Sequence, residues 1–324
     1  MKRQIFTGIC WPRAAALMLT MMVLSGCANR VGLDGPPVAP RQVSASAWIV
    51  QGLAAQGTPQ NQNFISNAGF IVTPAGVVVI DALGSPVLAT KLLAEIKKIT
   101  PLPVTHVIVT HYHADHIYGL QVFKAAGARI LAHHKGRDYV GSDVASARLE
   151  SSRHELAPWI DASTQVLPAD EWLDGPRELR LGGQRIQINA MGPAHTPEDL
   201  AVYLPDEGVL FAGDLVFRGR IPFVGNADSG RWVKALSEML SLQPQVVVPG
   251  HGPVSLQAVA DMELTRAYLV YLRASMGQAA KKMDPFDEAY KIVDWSAFDK
   301  VPLFGVLNRV NAYNTYLLME READ

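Results

Sequence analysis

His111, His113, Asp115 and His116 stand within six residues of one another, in the run Thr110-His111-Tyr112-His113-Ala114-Asp115-His116. Three imidazoles and a carboxylate at that spacing are metal chemistry, and this donor set suits zinc, with iron or manganese as alternatives. One short loop cannot readily fold all four donors around a single tetrahedral ion, so the spacing points to two neighbouring ions that share the loop. HxHxDH would arise by chance in on the order of one such chain in a few thousand. The preceding run Thr105-His106-Val107-Ile108-Val109 reads as a buried strand that delivers the loop.

The remaining donors should lie where other strands deliver their ends to the same face. Met191-Gly192-Pro193-Ala194-His195-Thr196, Val209-Leu210-Phe211-Ala212-Gly213-Asp214 and Val246-Val247-Val248-Pro249-Gly250-His251-Gly252 each read as a strand followed by a donor, with Gly or Pro marking a tight turn beside it. HxHxDH followed in order by His, Asp and His resembles the metallo-β-lactamase-fold hydrolase superfamily, over roughly residues 46 to 255. The resemblance implies that His111, His113 and His195 hold one metal, that Asp115, His116 and His251 hold the other, and that Asp214 bridges them. It also implies catalysis at Asp115 and Asp214. Two ions about 3.5–4 Å apart can share a hydroxide, lower its pKa toward ~7 and polarise a carbonyl or phosphoryl oxygen. Such an enzyme needs no Ser or Cys nucleophile.

Taken singly, His195 and His251 would read as structural histidines and Asp214 as a turn or capping residue; the upstream motif and the preserved order make them ligands. His106, His133, His134 and His154 read as hydrogen-bonded structural residues. Asp81 ends the apolar strand Val77-Val78-Val79-Ile80, where it either supports the HxHxDH loop by hydrogen bonds or simply forms a turn. Tyr112, Tyr118, Phe217, Arg218 and Arg220 are near the metals by chain continuity, and Trp159 and Trp172 lie on an insertion that could form a lid. Each is either a substrate contact or an ordinary packing or solvated residue.

At the N-terminus, Lys2, Arg3 and Arg13 precede an apolar run from Ala14 to Val23, closed by Leu24-Ser25-Gly26-Cys27. The run is short of the ~20 apolar residues of a membrane span and resembles a bacterial lipoprotein signal, residues 1–27, cleaved before Cys27 and acylated on its thiol. That places the mature chain in the periplasm, anchored to a membrane by lipid. Cys10 leaves with the signal, so Cys27 is the only cysteine left and no disulfide is expected. Residues 28–43, with Pro36, Pro37 and Pro40, read as a flexible tether. Residues 44–324 then form one hydrolase domain, because the donors come from segments that must meet, with a helical extension from about 256.

Short apolar runs at 77–80, 104–109, 129–132 and 246–248 suit sheet interiors, whereas 87–99 and 231–242 have helical periodicity. The polar–apolar alternation of 185–189 and the hairpin-like 201–211 add half-buried strands, and 308–320 reads as a last helix packed on the core. Together these fit an α/β fold, the αββα sandwich of two mixed β-sheets flanked by helices that the resemblance implies. With 29 basic and 30 acidic residues the net charge is −1, and no basic run survives loss of the signal, which argues against nucleic acid as a partner. The resemblance implies a small-molecule substrate: an ester, thioester, lactone or lactam, as in periplasmic hydrolases of sulfur-oxidation and quinoprotein systems. β-Lactamase activity is the alternative within that chemistry. A lipid-anchored metal-binding or redox-accessory protein without turnover is the alternative of another class.

Overall fold

The computed structural model describes Met1 and residues 35–323. The signal-like segment and Cys27 lie outside these residues, as does the first part of the expected tether. The domain starts earlier than residue 44. Gly35 already belongs to the compact unit, Val38 is buried, and β1 (Arg41–Gln42) pairs antiparallel with β2 (Ala47–Val50). The turn between them is tied down by Ser44 and Ser46, whose hydroxyls donate to the Glu207 carboxylate. Residues 35–43 are therefore part of the domain and not a free tether, because their backbone and apolar groups find partners on it.

The chain continues through β3 (Ala68–Thr73), β4 (Gly76–Ile80), β5 (Val104–Ile108), β6 (Arg129–His133) and β7 (Glu171–Leu173), which complete a seven-stranded sheet in the order β1 to β7. Strands β1 to β4 pair antiparallel and β4 to β7 parallel. A second sheet is formed by β8 (Arg177–Leu181), β9 (Gln184–Ala190), β10 (Leu200–Leu204), β11 (Val209–Phe217) and β12 (Val246–His251), antiparallel except for the parallel pair β11–β12. Alternation along the strands divides the core. Val78 and Ile80 of β4 face the second sheet, meeting Val202 and Phe211 there, while Val77 and Val79 face outward to the helices.

Helix α1 (Pro86–Ile99) covers the outer face of the first sheet through Leu88, Leu92 and Ile96, at the i, i+4, i+8 spacing of one helical face. Pro86 suits its first turn, where a missing N–H costs nothing. Short helices α2 (Ala114–Ile117), α3 (Leu120–Ala125) and α4 (Gly136–Val140), then α5 (Asp143–Glu155), complete that layer. On the other side, α6 (Ser229–Ser241) turns Trp232, Leu236 and Met239 onto the second sheet. Behind it lie α7 (Ala258–Lys282), α8 (Phe286–Ile292) and α9 (Phe304–Ala323). The result is an αββα sandwich. The C-terminal helices also reach the loop after β11: Asn311 Nδ2 donates to Pro222 O at 2.7 Å and its Oδ1 accepts from Val224 N at 2.9 Å.

Across the two sheets, Gly69 of β3 faces Phe211 of β11, whose ring fills the space a Cβ would take. Gly69→Ala is expected to cost ~1–3 kcal/mol of folding stability by overpacking. Combining it with Phe211→Leu should cost less than the two losses added, since the shorter side chain vacates the contested volume. Urea unfolding of the four proteins in that cycle reads the coupling.

Candidate metal centre

Four segments deliver the donors to one edge of the sandwich. His111 follows β5, His113 stands just before α2, and Asp115 and His116 lie within it. His195 is on the loop from β9 to β10, and His251 is the last residue of β12. Asp214 differs from expectation. It lies inside the long strand β11 and not in a turn after residue 211, because the β11–β12 register shifts around Gly213 and turns the carboxylate inward. Gly213 has φ +53°, and a Cβ there would press on Thr110 at 2.8 Å. On the neighbouring strand, Gly250 leaves room for Asp214 Oδ1 where any side chain would collide with it.

The seven donors fall into two adjoining groups: His111, His113, His195 and Asp214, then Asp115, His116 and His251. The three histidines of the first group and the three residues of the second separate as the resemblance implies, while Asp214 falls with the first group. His113 Nδ1 lies 3.1 Å from His111 Nε2 and 3.0 Å from His195 Nε2. Asp214 reaches both groups. Its Oδ2 is 3.4 Å from His195 Nε2 and 3.3 Å from His251 Nε2, and its Oδ1 is 3.2 Å from His116 Nε2. Asp115 Oδ2 is 3.3 Å from His251 Nε2.

The far side of three rings sets which nitrogen is free. His116 Nδ1 bonds Asp81 Oδ2 at 2.8 Å, and His251 Nδ1 donates to Ile65 O at 2.7 Å. The Thr110 hydroxyl donates to Asp81 Oδ2 at 2.8 Å and so accepts from His111 Nδ1 at 3.0 Å. All three rings therefore turn an Nε2 lone pair toward the centre. One proton on His113 Nδ1 can satisfy only one of its two neighbours, and His116 Nε2 and Asp214 Oδ1 are buried without a hydrogen bond among the described residues. Lone pairs facing lone pairs are what divalent cations would relieve, and the His/carboxylate donor set fits zinc in both groups.

The charge pattern agrees for the first group and differs for the second, where a cation would have to displace a proton from His116 and His251. Burial holds His111 and His113 below the usual histidine range and pushes His195 down to about 3, which keeps these rings neutral and able to ligate. Burial opposes charge on His116 and His251 too, but the Asp214 and Asp115 carboxylates outweigh it and hold both above the usual value. Asp214 is held far below the ordinary carboxylate range: burial works against its charge, and His251, His116 and His111 overcome that.

Other nominated residues have different roles. Asp81 supports the loop as well as turning the chain: it is buried, has φ +59°, and accepts from Thr110 N at 2.8 Å besides the bonds above. Tyr112 and Tyr118 are buried in the core, the first stacked on Trp172 and the second bonded to Ser152. Trp159 Nε1 donates to Pro59 O, pinning the loop before β3. Phe217 lies flat on His251, ring centres 5.1 Å apart, and packs on ligands where a substrate contact was one expectation. Arg218 pairs with Asp261. Arg220 is buried beside His251. His106, His133, His134 and His154 join no donor group.

Sequence reasoning missed three supports. Asn67 bridges Pro249 O and Gly252 O and fixes the end of β12, Glu198 accepts from Tyr112 N, and Asp199 caps Thr196 beside His195. The acidic pair just after His195 is a local signal, whereas nothing around Asn67 marks it. Beside Asp115 a cavity of about 390 Å³ opens between Gln56, Ile65 and Arg148, and Phe223 stands half-exposed near His113 and His195.

An αββα sandwich with paired His/Asp donor groups at one edge is an arrangement suited to holding metal ions. The chain belongs to the metallo-beta-lactamase superfamily, whose family model matches residues 62–251. It is similar to the linear primary-alkylsulfatase of Pseudomonas sp. (strain ATCC 19151), 26% identical over 238 residues, which cover 62% of this chain and 45% of that protein. The chain thus spans less than half the length of that relative. It is 28% identical over 218 residues to the metallo-beta-lactamase type 2 of Bacillus sp. (strain 170), covering 66% of this chain and 76% of the relative. Its fold matches a double mutant of the sec-alkyl sulfatase PisA1 with TM-score 0.65 and 17% identity, over 88% of this chain and 50% of that one.

Asp81→Asn tests the support of the donor loop. An amide NH₂ facing Thr110 Oγ1 and His116 Nδ1 donates where the carboxylate accepted, so His116 loses the bond that fixes its tautomer. Zinc affinity, read by competition with a chromophoric chelator, is expected to fall ~10–100-fold, the usual effect of removing such a partner, with the fold retained by circular dichroism.

Proposed function

We propose that this chain is a two-metal hydrolase, with zinc as the metal that best suits its donors, cleaving a small ester, thioester, lactone or lactam with water. The observation that carries the reading is the pair of adjoining donor groups spanned by Asp214, intact in all seven members. A non-catalytic metal-binding or redox-accessory role would leave such a set free to degrade. Two divalent cations on these donors would supply Lewis acidity and draw the pKa of a bound water down to ~7. The protein's own part is positional. Asp214 fixes the spacing of the two groups, while Asp115, the more exposed of the two carboxylates, sits at the cavity mouth where Oδ2 can orient water and take up its proton.

Two neighbouring substrates have support from relatives. A sulfate ester is favoured by the likeness to the Pseudomonas alkylsulfatase, and a β-lactam by the likeness to the Bacillus enzyme. Screening the zinc-loaded protein against nitrocefin, a thioester, a lactone, a carboxylic ester and an alkyl sulfate separates them.

On whichever substrate is turned over, Asp214→Asn should lower kcat by about a hundredfold or more, the scale of losing several kcal/mol of Lewis-acid stabilisation, with a smaller change in KM. Metal analysis of the same sample shows whether an ion has left. Unchanged kcat with two ions bound would reduce Asp214 to a structural residue. We also propose that the chain is a periplasmic lipoprotein anchored through Cys27. Mass spectrometry of the mature N-terminal peptide should find an acylated Cys27; an unmodified peptide starting elsewhere would remove the anchor and leave export standing.

A further inference from the structure

Arg148 and Glu155 stand on α5 two turns apart, and both line the cavity of about 390 Å³ that opens beside Asp115. That volume suits a small ligand group. Another arginine of the same helix is fully engaged: Arg153 donates to Asp161 O at 3.0 Å, to Thr164 O at 3.2 Å and to Glu150 Oε2 at 3.0 Å. Arg148 is different. Its Nη1 stands 3.6 Å from Glu155 Oε2, beyond hydrogen-bond reach, and it has no other hydrogen bond or ion pair among the described residues. Glu155 accepts one bond, from Ser151 Oγ to Oε1 at 2.6 Å, and its Oε2 is open. Both side chains are half-exposed, so their mutual attraction is worth little.

The walls around this loose pair are fixed. Trp159 Nε1 donates to Pro59 O at 2.6 Å and ties the chain after α5 to the loop between β2 and β3. On that loop Gln56 and Asn63 also line the cavity; Gln56 O accepts from Asn61 Nδ2 at 2.8 Å, and Asn63 Nδ2 donates to Gly84 O at 3.0 Å. A ligand carrying only a negative charge would meet Glu155 there, and one carrying only a positive charge would meet Arg148. A group with both charges satisfies each side chain, and either mismatch is disfavoured. An amino-acid end, with ammonium and carboxylate on one carbon, is such a group, and the guanidinium fork matches its carboxylate in two places at once.

We infer that this cavity takes a zwitterionic, amino-acid-like end of the substrate, its carboxylate on Arg148 and its ammonium on Glu155, and presents the bond to be cleaved to the Asp115 side of the centre. This rests on the two-metal hydrolase reading and names its substrate class: an ester or thioester one half of which ends in an amino-acid group.

The test uses the full chain loaded with zinc and ligand-observed NMR titrations with L-homoserine, 4-hydroxybutyrate and 3-aminopropanol, which carry both charges, the negative charge alone and the positive charge alone. Homoserine should bind at least about tenfold more tightly than either of the others. Arg148→Gln should abolish its advantage over 3-aminopropanol, Glu155→Gln its advantage over 4-hydroxybutyrate, and zinc per chain should not change in either variant. On turnover, Arg148→Gln should raise KM for O-butyryl-L-homoserine about tenfold with kcat retained, and leave KM for ethyl butyrate as it is. Homoserine binding no tighter than that of the singly charged probes, or binding unchanged in both variants because the amino acid chelates zinc directly, overturns the inference. Binding that needs both side chains in a protein that hydrolyses no ester supports the zwitterion site and counts against the hydrolase reading alone.

Discussion

A single buried carboxylate, Asp81, orients one ligand in each of the two donor groups. Through one oxygen it takes Thr110 N, and through the other both the Thr110 hydroxyl and His116 Nδ1. It thereby fixes His116 directly and His111 through Thr110, one ligand from each donor group. Asp81 ends β4, and β4 lies beside β5, whose continuation carries the motif. The parallel pairing of two strands is thus converted, through three hydrogen bonds, into the orientation of two rings. The left-handed backbone at Asp81 is a local cost that these bonds offset.

The second half of the sandwich contributes a different kind of constraint. His195 Nδ1 has no hydrogen-bond partner among the described residues, and both His195 and His251 lie against aromatic surfaces: Phe217 lies flat on His251, and Trp232 stands edge-on to His195 with ring centres 5.1 Å apart. Trp232 is fixed in turn by its Nε1 bond to Leu215 O. Ligands on the first sheet are oriented by hydrogen bonds, those on the second mainly by packing.

This division explains what the sequence disclosed. His111 to His116 were legible because a loop motif is local, and His195, Asp214 and His251 because each follows an apolar strand in a fixed order. An α/β fold was legible from strand and helix periodicity on both sides of the motif, and the two-sheet sandwich through the resemblance. Asp214 was misplaced relative to its strand because a bulge is a matter of pairing with β12, and pairing leaves little trace in one strand's residues. Phe217, Tyr112 and Trp172 could not be sorted into core or substrate contacts, since an aromatic residue near a ligand in the chain reads alike in either role. Val38 and β1 were absorbed into a tether because the burial of one valine and the pairing of two residues with β2 leave little trace in a Pro-rich run. Sulfate esters were absent from the expected substrates, and only the relatives brought them forward.

Asn311 holds Pro222 and Val224 from a helix that begins more than fifty residues after the last donor. The rim of the site and its floor therefore belong to different parts of the chain. Changes in the C-terminal helices can shift the position of Arg220 and Phe223 while leaving every donor in place. Divergence in selectivity could proceed in this protein by remodelling a distant scaffold, with the hydrolytic centre itself held constant.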